Sequence, residues 1–312
     1  MTTTRWLIST ILLLIGTLAM GMGIVLFAIA VVRAPSFPGF ILTPYGQVQD
    51  HAFEMKHADC EIVIYGDSST MTSDDSKTIA ARTGLSTCNL SQTQPVVVVT
   101  GMLPVELYLK QNKLPKYMVL QFAPEAFYQS HGMAKAAVYD PMTLMLRQDP
   151  GVATARILLR SPLQTMQYAS LVLQDRYRPN KKNTAAFKPQ YEQVIARYWV
   201  DGLLTLPKPS ETACGPAKPL PETPDFAWVE QARQRYTAQG VKVLVTVSPI
   251  PDCDSQQATY KADLAGHLDG AVTTLPLKLF NDSDRHFTRE GAAIVSAQVA
   301  QQILALESQA AK

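Results

Sequence analysis

The feature that most constrains this chain is a run of 27 residues, Trp6 to Val32, that carries no charge and is bounded by Arg5 and Arg33. Hydrocarbon offers a backbone no water to bond, so a single apolar run of this length crosses a bilayer only as a helix. It exceeds the roughly 20 residues needed to span. It also exceeds the roughly 7–15 apolar residues of a cleavable signal. Ala28-Ile-Ala30 has the small-x-small form of a cleavage site, so removal is the alternative; the length favours an uncleaved anchor. A buried core helix fits poorly with so long an uncharged run. Arg5 and the terminal amine lie on one side, and Arg33 alone lies close on the other. The short head, the large C-terminal part and the positive-inside rule all put the N-terminus in the cytoplasm. The expectation is a single-pass protein of the cytoplasmic membrane: residues 1–5 inside, 6–32 in the bilayer, and the remainder outside, in the periplasm.

Of the 28 Lys and Arg residues, two lie at or before Arg33, which leaves 26 against 26 Asp and Glu. A formally neutral outer part argues against nucleic acid as the partner. The cysteines are Cys60, Cys88, Cys214 and Cys253, with no Cys-x-x-Cys pair. That excludes the usual zinc spacings, and neither a metal nor another cofactor is expected. An oxidising compartment permits disulfides. Cys214 and Cys253 sit in proline-bearing polar loops, and Cys60 and Cys88 flank two expected neighbouring strands. At least one bridge is expected; four buried thiols are the alternative.

Residues 33–58 read as a stalk. An alternating pattern then begins. Strands are expected at Ile62–Tyr65, Ser86–Leu90, Tyr117–Phe122 and Val241–Ser248, with a fifth at Ala271–Leu275. Helices are expected at Thr70–Arg82, Val97–Gln111 and Trp228–Gln239, and a last one capped by Thr288. Its apolar positions Ala292, Val295, Val299 and Ile303 recur every three or four residues. Apolar strands alternating with helices imply an α/β three-layer sandwich with a mainly parallel central sheet. Residues 59–312 would form this domain, interrupted by a helical and irregular insertion at about 130–225. A lid or a membrane-lying surface is the lesser reading of that insertion beside ordinary packing. In parallel sheets ligands bind outside the C-terminal strand ends. Ser68, Gln92–Gln94, Gln121–Phe122 and Pro249–Pro251 all fall at or just past such ends.

The first strand stops at Gly66-Asp67-Ser68. Far along the chain stands Asp284-Arg-His286-Phe-Thr-Arg-Glu-Gly291, a histidine in a polar turn before a helix. A serine hydroxyl is a weak nucleophile until a base takes its proton, and a histidine is the usual base. With Asn89-Leu-Ser-Gln-Thr-Gln94, these segments resemble the blocks of the SGNH (GDSL-like) hydrolase superfamily over about residues 59–308. The resemblance implies Ser68 as nucleophile, His286 as general base, and an oxyanion hole built from the Ser68 region and the Gln94 backbone amide.

The chain departs from the pattern in three places. Gln94 stands where the family usually has Gly. The third strand ends Gln121-Phe-Ala-Pro-Glu125, without the Asn that donates to the oxyanion; Gln121 is the candidate substitute. Ser283 stands three residues before His286, where the family has Asp, so Asp284, or alternatively Asp282, is expected to orient the imidazole. His51, His57, His131 and His267 read as surface residues. The resemblance implies an acyl esterase or O-acyltransferase acting on an acyl ester or glycan of the cell envelope. An anchor followed by such a domain further resembles envelope O-acylation proteins, which implies a multispanning membrane acyltransferase as partner. The rival expectation is a catalytically degenerate module that binds glycan or scaffolds an envelope complex.

Overall fold

A computed structural model describes residues 3–33, 55–128, 139–148, 151–177, 199–200, 203–205, 214, 220, 223–282 and 285–310. In chain order the elements are helix α1 (Thr3–Arg33), strand β1 (Ile62–Gly66), α2 (Ser68–Ser73), α3 (Ser76–Thr83), β2 (Thr87–Asn89), α4 (Gln94–Thr100), α5 (Leu103–Leu109) and β3 (Tyr117–Phe122). The insertion supplies α6 (Tyr139–Gln148), α7 (Val152–Arg160), α8 (Pro162–Tyr177) and a small hairpin, β4 (Trp199–Val200) with β5 (Leu203–Leu204). The chain then continues through α9 (Ala227–Thr237), β6 (Lys242–Val247), β7 (Ile250–Pro251), α10 (Gln257–Asp263), β8 (Thr274–Leu275), β9 (Phe280–Asp282), β10 (His286–Phe287) and α11 (Arg289–Ala310).

The central sheet has the order β2-β1-β3-β6, and all of its pairs are parallel. Successive strands are added on one side of β1 with β2 and on the other with β3 and β6, so the topological switch point lies at the end of β1. Helices cover both faces, as strands buried along their whole length require. On one face Ile62, Ile64, Tyr117, Val119 and Leu244 pack under Ile79 of α3 and Val299, Ala300 and Ile303 of α11. On the other, Val63, Tyr65, Leu120, Phe122 and Val245 meet α4, α5, α9 and α10 through residues such as Val97, Tyr108 and Val229. The alternation along β1 sends successive side chains to opposite layers. The expected α/β architecture with a mostly parallel sheet is therefore present.

Three expectations need correction. The helix read over Thr70–Arg82 is two helices. Asp74 ends the first, and Asp75 caps the second through bonds from Lys77 N (3.1 Å) and Thr78 Oγ1 (2.6 Å). The helix read over Val97–Gln111 is also two, broken where Gly101 takes φ 56°. The fifth strand does not join the central sheet. Instead Asp269 ties off the β6 edge, accepting from Val245 N at 2.7 Å and donating its own N–H to Val245 O at 2.8 Å. Only Thr274–Leu275 remains extended, and it pairs with β7.

Both disulfides are formed, Cys60–Cys88 with Cα atoms 5.8 Å apart and Cys214–Cys253 with 6.1 Å. Helix α1 is long and apolar enough to cross a membrane, and only 6% of its most apolar window is buried, which excludes a core helix. Its last turns are the exception: Ala28 and Val32 pack against Met142, Leu146, Tyr168, Ala169 and Val172 of α6 and α8. Residues 34–54 of the expected stalk and most of residues 178–222 of the insertion lie outside the described residues.

Candidate active site

The site is built on the sharp turn that follows β1. Gly66 has no room for a side chain: a Cβ there would fall 1.8 Å from the Gln121 carbonyl oxygen and 2.3 Å from Thr70 Oγ1. Asp67 then caps α2, and Ser68 is the first residue of that helix. The Asp67 carboxylate is buried. Its Oδ1 accepts from Ser69 N (2.9 Å) and Ser69 Oγ (2.6 Å), and its Oδ2 accepts from Ala123 N (2.8 Å). Burial pushes its pKa up; the bonds from Ser69 and Ala123, and the nearby His286, pull the other way. Asp67 thus fixes the turn to the end of β3. Ser69 Oγ adds a 2.7 Å link to Ser248 Oγ, just past β6.

Folding brings Ser68 Oγ and His286 Nε2 to 3.0 Å across 218 residues of sequence. With its proton on Nδ1, the ring accepts the Ser68 hydroxyl hydrogen. His286 is held from several sides. Phe287 is fully buried, and its N–H donates to Thr72 Oγ1 of α2 at 3.2 Å. Arg285 makes ion pairs with Glu125 and with Asp254, the latter at 3.1 Å. Burial raises the pKa of Glu125, and Arg285 opposes that shift. Thr288 caps α11, accepting from Gly291 N at 3.2 Å. At Gly291 a Cβ would lie 2.4 Å from the Leu279 carbonyl oxygen, so the helix seats closely only without one.

The remaining expected site residues divide. Gln92 N donates to Gly66 O at 2.9 Å, so the segment entering α4 lies beside the turn that carries Ser68. Gln94 opens α4, and Ser68 opens α2. Helix-opening N–H groups have no acceptor within their own helix. Among the described residues neither of these two amides has a partner. The Gln94 side-chain amide nitrogen is likewise buried without one.

Gln121 does not reach the serine as an oxyanion donor. Its side chain is spent in a buried network: Nε2 donates to Ser73 Oγ (3.1 Å) and Asp74 Oδ2 (2.7 Å), and Oε1 accepts from Thr246 Oγ1 (3.0 Å). Asp282 pairs directly across the β9–β10 hairpin from His286, a statement about its backbone alone. Asp284 lies outside the described residues, as do His51 and His131. His267 is exposed, as expected of a surface residue, and its ring stacks on Phe226 with centroids 3.8 Å apart.

Sequence reasoning missed Asp67 as a structural carboxylate and the Glu125–Arg285–Asp254 cluster. The first had a local signal, an Asp directly before a helix start. The second joins residues 160 and 31 positions apart and had none. No family model, no curated protein and no solved structure matches this chain.

Proposed function

We propose that this is a membrane-anchored, extracytoplasmic SGNH-like acyl esterase or O-acyltransferase with Ser68 as nucleophile and His286 as base. The observation that carries the reading is the 3.0 Å contact between Ser68 Oγ and His286 Nε2 at the switch point of a parallel sheet. Ser68 Oγ attacks an acyl carbonyl while its proton passes to His286 Nε2. The carbonyl oxygen becomes an oxyanion facing the Ser68 and Gln94 amides. The C–O bond to the leaving alkoxide breaks, and that oxygen takes the proton from His286. Water or a sugar hydroxyl then attacks the acyl-serine, with His286 accepting its proton. Asp284 or Asp282 orients the ring.

Helix α1 serves as the anchor, with the N-terminus in the cytoplasm. The two disulfides fit an oxidising compartment outside it. An envelope or secreted glycan is the acceptor class that suits this placement, with a multispanning acyltransferase as acyl supplier.

In the second reading the site binds without turning over. The engagement of Gln121 favours it, because the missing side-chain donor leaves only main-chain amides for the oxyanion. Losing one such donor typically costs about 10²–10³ in rate. Turnover of a small acetyl ester by the purified full chain separates the two. Ser68→Ala and His286→Ala should each lower kcat by at least about 10³-fold, because the pair acts as a unit. Turnover unchanged in Ser68→Ala, or absent from the wild type on every acyl ester tried, would leave the binding module as the better account.

A further inference from the structure

We infer that the α7–α8 hairpin of the insertion lies in the outer leaflet of the bilayer beside α1, as a second, monotopic membrane contact. The inference rests on reading α1 as an uncleaved span; it does not depend on Ser68 chemistry.

The length of α1 sets how far the hydrocarbon reaches along it. Exposed apolar side chains run along it from Trp6 to Phe27. That is 22 residues, or about 33 Å of helix, close to the roughly 30 Å of a hydrocarbon core. The hydrocarbon therefore reaches the level of Leu26 and Phe27, which remain 58% and 49% exposed. At that same level the other side of α1 is already docked. Ile24, Val25, Ala28 and Ile29 pack into the cluster that contains Met142, Tyr168, Ala169 and Leu158. The insertion helices meet α1 where it leaves the membrane, and Leu158 brings the corner between α7 and α8 to that junction.

This corner has the wrong surface for water. Leu159 and Leu163 flank it, each 75% exposed, and Val152 at the start of α7 is 77% exposed. Met166 and Leu171 continue the apolar surface along α8. Single exposed leucines need no explanation, but a set on one hairpin next to a spanning helix does. The charges agree. Between Gly151 and Gln174 the only charged residues are Arg156 and Arg160, both exposed. Arginine beside apolar side chains, with no carboxylate among them, suits an interface bearing anionic headgroups. The bilayer thus fits this surface by apolar continuity with α1 and by charge.

The placement also fixes the height of the candidate site. Helix α4 opens at Gln94, two residues past the Gln92–Gly66 bond beside the serine turn, and five residues later Val99 packs on the α1–α6–α8 cluster. Five residues are about 7.5 Å of helix. The serine turn therefore stands close above the membrane surface.

The test uses the full chain carrying Leu163→Cys. The native cysteines are paired, so the new thiol alone takes an NBD fluorophore. The protein is reconstituted into phosphatidylcholine–phosphatidylglycerol vesicles with or without nitroxide-labelled lipid. Gln239→Cys is the control; Gln239 is exposed in the turn entering β6, at the opposite edge of the sheet. NBD at position 163 should emit to the blue of the control and be quenched several-fold more strongly by nitroxide lipid. A probe at 163 as wet and as unquenched as the control, in protein retained by the vesicles, overturns the inference and leaves the anchor standing. A blue-shifted but unquenched probe also overturns it, since the surface is then covered by protein. Protein that washes off the vesicles overturns the anchor and this inference together.

Discussion

At the scale of single residues, the short motifs resolve into separate physical duties. In Gly-Asp-Ser, Gly66 admits the carbonyl of β3, Asp67 caps the helix and grips Ala123, and Ser68 presents the hydroxyl. In His-Phe-Thr-x-x-Gly, Phe287 plugs the core, Thr288 caps α11, and Gly291 permits its close seat. The Thr288 cap was legible because it is local; the grip of Asp67 on Ala123 and the close seats of Gly66 and Gly291 were not, because their partners lie elsewhere in the chain. Gln121 was not, because a strand-end amide can serve either face, and the partners that decided it lie on α2 and β6. Its network includes Asp74, whose burial pushes its pKa up to about 7 and whose Oδ1 has no partner. A carboxyl with a raised folded pKa holds its proton better in the folded than in the unfolded state. Stability is therefore lost as pH rises from about 4 to about 7, by an amount of up to about 4 kcal/mol. Asp74→Asn places a neutral amide there at every pH. Denaturant titrations should find the variant more stable than wild type at pH 8 and nearly equal to it at pH 4. A variant less stable at pH 8 would mean that the ionised carboxylate is well accommodated.

At the scale of elements, the four strands of the central sheet were read to within a residue at each end, because short runs rich in β-branched and apolar residues are bounded there by turn signals. The helices flanking β2 were read as too long. The Asp74-Asp75 pair and Gly101 were the breaks, and both are standard stop or start signals once weighted above the apolar pattern. The fifth strand was misread for a non-local reason: Asp269 takes over the hydrogen bonds that a strand would have made to β6. The cysteines beside β1 and β2 were legible from strand adjacency alone. Cys60–Cys88 closes a loop with a sequence separation of 28. In the chain-entropy account a loop of that size is worth roughly 3–4 kcal/mol. Replacing both cysteines by serine should lower the urea midpoint of the oxidised protein accordingly. An unchanged midpoint would mean that the core already fixes β1 against β2 in both states.

At the scale of the whole molecule, the α/β sheet covered on both faces and the apolar N-terminal helix were both visible in the sequence, one from alternation and the other from 27 uncharged residues. How the insertion joins them was not visible. Its helices pack on the end of α1, a contact that no periodicity encodes. The same topology that sets β1 beside β3 places Ser68 at the switch point, where it meets His286. The central claim is that this meeting makes the serine nucleophilic. The most direct measurement is peptide mass spectrometry of the full chain after exposure to a fluorophosphonate, which phosphonylates activated serines. An adduct should form on Ser68, far more slowly in His286→Ala and not at all in Ser68→Ala. An unmodified Ser68 in the wild-type protein, or an adduct on Ser68 that forms equally fast without His286, would contradict that claim.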